Sequence, residues 1–215
     1  MDDRQKIKKH FQDIAKGFDG FYSAKKPIFV KGLDLFFHKS MYKRFTLTLE
    51  ECGDLRKKEV LDIGCGSGRY SLAMAKQGAP KVIGIDFSNN MLKLAQDLAE
   101  ENGLKERCDF IEADFLEYTF SKKFNLCLAI GVFDYIREPL ACLAKIHNLT
   151  LEKAIISFPK KWHLLTISRK IRRKILDCPV YFYTPRQIKH ILEESGFKNY
   201  NLKNLGRDYL VTALP

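Results

Sequence analysis

The run Val60-Leu61-Asp62-Ile63-Gly64-Cys65-Gly66-Ser67-Gly68-Arg69 constrains the fold most, because three alternating glycines follow directly on a short apolar strand. Glycine adopts positive φ at little cost and carries no Cβ, so such a turn brings main-chain N–H groups and the next helix's N-terminus against a polar ligand. The strand-turn-helix order that this demands is the opening unit of an open α/β sheet.

The stretches that follow continue that unit. Tyr70 to Gln77 has the spacing of a helix closed by Gly78, and Lys81 to Ile85 reads as a second apolar strand ending in Asp86. Ser88 is expected to cap a helix running to about Glu101, with Met91, Leu92, Ala95, Leu98 and Ala99 on one face and Gly103 as its stop. Cys108 to Glu112 is a third strand with Asp114 just past it. Phe124 to Ile130 is nearly all apolar, as a parallel strand buried on both faces should be. Pro139 to Asn148 gives another helix and Ala154 to Phe158 a fifth strand. Thr184-Pro185 begins a helix that Gly196 closes. The runs 197 to 204 and 207 to 214, separated only by Leu205-Gly206, must form an antiparallel hairpin, since a parallel return needs a dozen residues or more. The expected fold is therefore α/β, Rossmann-like and doubly wound: a mostly parallel seven-stranded sheet with one antiparallel strand and helices on both faces.

At 215 residues the chain is expected to form one domain, 1–215. It divides into an N-terminal helical cap over 1–55, a core over 60–158, a basic amphipathic lid or insert over 159–183, and a C-terminal helix and hairpin over 184–215. Phe11, Ile14, Ala15 and Phe18 mark an apolar stripe in the cap, which is expected to pack over the ligand-bearing edge of the sheet. No apolar stretch is long enough to cross a bilayer, and the opening Met-Asp-Asp-Arg-Gln-Lys lacks the apolar region of an export signal. The six cysteines show no CxxC pairing, which suggests a reducing cytoplasm and no structural zinc.

Ligands of open α/β sheets bind outside the carboxyl ends of the strands. Asp86, 22 residues after Gly64, is placed to accept ribose hydroxyls. Asp114 is placed to accept from an exocyclic amine, beside Phe115, which offers a ring to a base. Ile130-Gly131 offers a carbonyl and a close backbone approach. Together these residues describe an adenosine site. The dinucleotide fingerprint GxGxxG competes as an explanation, but this chain spaces its glycines as GxGxG and has Arg69 where the last glycine would fall.

On these residues the chain resembles the class I S-adenosylmethionine-dependent methyltransferases across 60 to 214. Val60 to Gly68 is similar to their first motif, Ile83-Gly84-Ile85-Asp86-Phe87-Ser88 to the second, and Glu112-Ala113-Asp114-Phe115 to the third. The resemblance implies that Asp62, Gly64, Cys65, Gly66 and Gly68 surround the methionine part of S-adenosylmethionine. It assigns Asp86 with Phe87 to the ribose side, Asp114 with Phe115 to the adenine, and Ile130 to the end of the fourth strand. Phe18-Asp19-Gly20-Phe21-Tyr22 is similar to an aromatic lead-in that folds over the cofactor. One departure is Asn125, where relatives carry Asp at the start of the fourth strand; lying away from the ligand edge, it is not expected to affect cofactor binding.

Asp134 and Tyr135, shortly after the fourth strand, are the candidate catalytic residues, either one a general base for an oxygen or carbon nucleophile. A dedicated base is not obligatory, because methyl transfer from a sulfonium needs little beyond alignment. His163, Tyr181 and Tyr183 are further candidates; His10, His38, His147 and His190 read as structural.

The formal net charge is +11, and 159–183 alone contributes +6, with Lys160, Lys161, Arg169, Lys170, Arg172, Arg173 and Lys174 against Asp177. Leu164, Ile167, Ile171 and Ile175 recur there at helical spacing, giving a basic amphipathic helix that suits an anionic acceptor or an acidic lipid surface. Nucleic acid is a poorer match. An Asn/Asp-Pro-Pro-Tyr/Phe motif is absent after the fourth strand, where Ile130-Gly131-Val132-Phe133 stands, and the Cys178-Pro179 pair is elsewhere. A small-molecule or lipid-precursor acceptor is therefore favoured over RNA and over a non-catalytic protein that retains the fold, with no metal expected.

Overall fold

The computed structural model describes residues 6–7, 31–161 and 179–215. Helix α1 spans Lys31–Cys52 and leads into strand β1, Glu59–Ile63. Then follow α2 (Arg69–Lys76), β2 (Lys81–Asp86), α3 (Asn89–Glu101), β3 (Cys108–Glu112) and β4 (Phe124–Ala129). Helix α4 (Pro139–Leu149), β5 (Thr150–Pro159), α5 (Pro185–Glu194), β6 (Asn199–Asn204) and β7 (Asp208–Leu214) complete the chain.

The strands form one seven-stranded sheet in the order β3-β2-β1-β4-β5-β7-β6. All run parallel except β7, which is antiparallel to both β5 and β6. The expected doubly wound sheet with its C-terminal hairpin is thus the observed one. The chain steps outward from β1 through β2 to β3 and then returns to lay β4 on the other side of β1. This reversal opens a crevice at the carboxyl ends of β1 and β4.

The central strands alternate between two cores. Val60, Leu126, Leu128, Ile155 and Leu210 face one side, with Cys52, Leu55, Leu72, Ala75 and Ala99 from or beside α1, α2 and α3. Leu61, Ile63, Cys127, Ala129, Ile156 and Val211 face the other, against Leu143 and Ile146 of α4 and Ile188 and Leu192 of α5. Burial on both faces explains why β4 reads as an unbroken apolar run. The expected helix face Met91, Leu92, Ala95 and Ala99 is buried, with Leu98 partly so.

Three local expectations need correction. Strand β5 begins at Thr150, not Ala154, because Thr150 pairs with Phe124; exposed Leu151 and Glu152 conceal the start in the sequence. Helix α4 likewise runs one residue past Asn148. Ser88 occupies the N-cap position of α3, but its buried hydroxyl makes no capping hydrogen bond and has no partner among the described residues. Its backbone N–H instead donates to Asp86 Oδ1 at 2.9 Å. The start of α5 is capped as its sequence suggests, with Thr184 and Gln187 bonded reciprocally.

Asn125 lies at the opposite edge of the sheet from the crevice. Its Oδ1 accepts from the Glu59 N–H at 2.9 Å and its Nδ2 donates to Glu152 Oε1 at 2.7 Å, so it pins β1 and β5 to the strand between them. The apolar stripe at Phe11 to Phe18, the aromatic lead-in at 18–22 and the amphipathic stretch from Leu164 to Ile175, with His163, lie outside the described residues.

Candidate functional site

All three glycines of the loop after β1 have positive φ: 64° at Gly64, 53° at Gly66 and 74° at Gly68. Their surroundings differ. A Cβ on Gly64 would lie 2.6 Å from Val132 Cγ2, and one on Gly68 would lie 3.0 Å from Ala95 Cβ and 3.1 Å from the Phe110 ring. These two glycines let the loop pack against the end of β4 and against α3 and β3. A Cβ on Gly66 would meet nothing within 4 Å among the described residues, so none of them covers its backbone. Gly66 is therefore the position where a ligand can approach the main chain.

The loop is fastened to β2. Gly64 N–H donates to the Ile85 carbonyl at 2.8 Å and Gly66 N–H to Asp86 Oδ2 at 2.9 Å. Asp86, with Phe87 after it, thus stands beside the open glycine and still has lone pairs for further donors. Burial pushes the Asp86 carboxyl up from its ordinary range, against the pull of the Ser88, Gly66 and Phe87 amides. Cys65 is buried in the loop, and burial raises its thiol well above the usual value, leaving it a small apolar group.

Asp62 lies beneath the loop, 2% exposed, with Oδ2 accepting from Ser71 Oγ at 2.6 Å. Burial pushes its carboxyl up to about 7, partly offset by Ser71. It ties β1 to α2 under the glycines.

The ends of β2 and β3 are joined by the Ala113 N–H donating to the Asp86 carbonyl at 3.1 Å. Asp114 follows, its Oδ1 accepting from the Leu116 N–H at 2.8 Å. Phe115's ring packs toward Phe120 and under Lys145 Nζ, while its backbone N–H has no partner among the described residues. At β4, Ile130 is buried, and Gly131 N–H donates to Ser157 Oγ at 2.8 Å.

Asp134 and Tyr135 turn back from β4, the Tyr135 N–H donating to the Val132 carbonyl and the Asp134 carbonyl accepting from the Tyr181 N–H at 2.8 Å. Tyr183 is close by: its hydroxyl donates to the Ile136 carbonyl at 3.3 Å. Burial raises the Tyr183 phenol, and the charge of Asp134 adds to that. Lys160 forms an isolated bridge with Tyr183, and the Lys161 N–H donates to the Tyr183 carbonyl, so the two ends of the basic segment lie side by side beyond β5. His147 is structural, its ring packed against Gly196 and Phe197; His190 pairs with Glu194 on the outer face of α5.

Sequence reasoning missed Arg44. Its guanidinium reaches from α1 to the same edge, donating from Nη1 to Asp208 Oδ2 at 3.1 Å, with Nη2 3.8 Å from the Cβ position of Gly131. Its Nε is buried without a hydrogen-bond partner among the described residues. Burial alone would lower its pKa, but Asp208, Tyr70 and Asp134 together raise it, so the cation is fixed. Phe45 beside it stacks under Arg69, whose carbon Cζ is 4.3 Å from the ring centroid, and packs 5.2 Å from Tyr70. Arg69, which breaks the dinucleotide pattern, thus holds α1 against the start of α2. Only an expectation that the cap packs over the ligand edge pointed this way.

Among the described residues the arrangement offers an uncovered glycine backbone, two carboxylates, an amide without a partner and a buried cation around one crevice. Among the described residues no group of three or more His, Cys, Asp or Glu is placed to hold a metal. No described helix is long and apolar enough to cross a membrane.

A family model described as a methyltransferase domain matches residues 54–201. The ubiquinone biosynthesis O-methyltransferase of Pasteurella multocida (strain Pm70) is 28% identical over 212 residues, covering 90% of this chain and 83% of that protein. Magnesium protoporphyrin IX methyltransferase from Synechocystis PCC 6803, solved with bound S-adenosylhomocysteine, superposes with a TM-score of 0.75 at 24% identity and covers 99% of both chains. A phosphoethanolamine N-methyltransferase of Haemonchus contortus superposes with a TM-score of 0.66 at 22% identity over 76% of this chain and 38% of that one.

Proposed function

Because the chain belongs to the class I S-adenosylmethionine-dependent methyltransferases, we propose that the crevice at β1 and β4 binds that cofactor and methylates a small anionic acceptor on oxygen. The observation carrying this reading is the meeting of Gly66's open backbone with Asp86 and Asp114 at the carboxyl ends of adjacent strands. The residues fit the cofactor's parts. Gly66 leaves room for the methionine chain to lie against the loop. Asp86 accepts from the ribose hydroxyls. Asp114 and the Phe115 N–H give an acceptor and a donor, matching the amine and ring nitrogen of adenine; Phe115 contributes its amide rather than its ring. Arg44, with Nη2 near Gly131 and a buried Nε that has no partner among the described residues, suits the methionine carboxylate.

When bound, the cofactor supplies a methyl group on a positively charged sulfur, open to in-line attack. The protein's share is alignment, exclusion of water and removal of the acceptor's proton. Asp134, 9% exposed and beside the crevice, is the group we assign to take that proton, with Tyr135 next to it. The relatives named for O-methylation support an oxygen nucleophile, whose attack benefits from deprotonation.

The anionic character of the acceptor rests on Lys160 and Lys161, anchored next to Tyr183 beyond β5, and on the excess of Lys and Arg in the sequence between Lys161 and Tyr183. Contact of 159–183 with an acidic lipid surface, and a cytoplasmic site of action, belong to the same reading. An RNA acceptor has only the basic charge in its favour.

The test is calorimetric titration with S-adenosylhomocysteine, followed by labelled methyl transfer into metabolite and lipid extracts with mass spectrometry of the product. Binding that weakens at least tenfold in Asp86→Ala is expected; absence of any binding to the wild type overturns the proposal. Binding without transfer to any acceptor would favour a non-catalytic cofactor-binding protein.

A further inference from the structure

Asp114 and Phe115 sit in one turn between β3 and β4, and this turn is held from both ends. Asp114 closes its start: its side chain accepts from the Leu116 N–H, and its carbonyl accepts from the Glu117 and Tyr118 N–H groups at 3.1 and 2.9 Å. The other end presents carbonyls. Lys145 reaches across from α4, and its ammonium donates to the Leu116 carbonyl at 3.0 Å and the Tyr118 carbonyl at 2.6 Å. The same ammonium lies 5.1 Å from the centroid of the Phe115 ring. An ammonium carries three donors. Here two are spent within one five-residue stretch, and the face of the adjacent ring meets the same charge. Lys145 is half-buried, so these charge-assisted bonds are shielded from competing water.

We propose that Lys145 is a positioning residue for the adenine side of the cofactor site. By gripping the carbonyls at 116 and 118 and the ring at 115, it fixes the direction in which the Asp114 carboxylate and the Phe115 N–H face the crevice. An acceptor beside a donor complements adenine, which offers an amine hydrogen beside an unprotonated ring nitrogen. Hypoxanthine reverses both groups and is rejected only if the pair is held still. The inference rests on the reading that Asp114 and Phe115 meet the base.

The experiment compares binding of S-adenosylhomocysteine and S-inosylhomocysteine to the wild type, Lys145→Met and Lys145→Arg by calorimetry. Methionine keeps the aliphatic stem and removes the charge. Lys145→Met is expected to weaken S-adenosylhomocysteine about tenfold while changing S-inosylhomocysteine little, so that discrimination collapses, and Lys145→Arg to restore most of it. A purely structural role would lower thermal stability and weaken both ligands alike, leaving their ratio unchanged; that result overturns the proposal. Should Lys145→Met fail to fold, Lys145→Gln replaces it: lost discrimination in the folded variant supports the proposal, and unaltered discrimination overturns it. A wild type that binds both ligands equally removes the premise about Asp114 and Phe115, whereas a discriminating wild type with an unchanged Lys145→Met ratio removes the role of Lys145 alone.

Discussion

Arg44 and Asp208 form an ion pair across 164 residues of sequence, Nη1 to Oδ2 at 3.1 Å, joining the first described long helix to the start of the last strand. Asp208 is 4% exposed and pairs in the sheet with Pro159, so the contact closes the ligand edge of the sheet on the side of β5 and β7. Arg44→Met leaves a buried carboxylate without its cation and is expected to destabilise the fold by about 3 kcal/mol in urea unfolding. Adding Asp208→Asn should recover most of that loss but not the affinity for S-adenosylhomocysteine. Recovery of both would mean that Arg44 serves only the fold.

The three glycines separate in the same way. Gly66→Ala adds a methyl group that meets no described residue, so its expected cost is only the positive-φ penalty of about 1 kcal/mol, while cofactor affinity falls at least a hundredfold. Gly64→Ala drives a Cβ to 2.6 Å from Val132 Cγ2, on a β-branched side chain that cannot swing aside. It should lower the melting temperature more than Gly66→Ala does, and Val132→Ala should restore part of it. Equal thermal shifts for the two single variants would contradict the distinct packing roles.

Gly84 extends this argument to the strand beneath. A Cβ there would lie 2.8 Å from both Cys65 Sγ and a Phe110 ring carbon, so β2 passes under the loop at the distance only glycine allows. Gly84→Ala is expected to destabilise by about 2 kcal/mol and to weaken cofactor binding, since the loop must lift. Crystallography of the variant would show the displacement, and an unmoved loop would refute it.

What the sequence disclosed follows from periodicity and punctuation. Asp86 and Asp114 were legible because each ends a short apolar strand whose start and direction the glycines and helix stops dictate. Arg44 was not, because its partners are Asp208, Tyr70 and Gly131, and no local spacing links residue 44 to these positions. Lys145 was hidden for a related reason: its hydrogen bonds go to backbone carbonyls, which carry no residue signature. Ser88 marked the right position through the wrong contact, since Asp86 Oδ1 holds the Ser88 N–H and the hydroxyl makes no capping bond.

Asp62 sets a pH dependence. Its carboxyl is pushed from 3.8 up to about 7 by burial, so between these values the folded chain keeps a proton that the unfolded chain has released. Its contribution to stability is therefore full below pH 3.8 and is lost as pH rises through 7, by at most about 4 kcal/mol. Asp62→Asn removes the titration. Urea unfolding at pH 5 and pH 8 should show the variant gaining on the wild type at the higher pH, and parallel profiles would place the ionisation elsewhere. Asp86 shifts in the same direction, so some slope remains in the variant.

Asp134 separates chemistry from binding. It lies 9% exposed in the turn after β4, its carbonyl tied to the Tyr181 N–H ahead of α5, and its charge acts on Arg44 and Tyr183. Asp134→Asn keeps the shape and removes the base. Once an acceptor is identified, the variant is expected to bind S-adenosylhomocysteine as the wild type does, while kcat falls about a hundredfold, the scale of a lost general base. The rate should then cease to depend on a single ionisation. If kcat is unchanged, alignment of the two substrates alone drives the transfer, and Asp134 serves to fix Arg44 rather than to move a proton. Tyr135→Phe distinguishes its neighbour in the same assay, since loss of rate there with Asp134→Asn silent would move the proton-accepting role one residue along the chain.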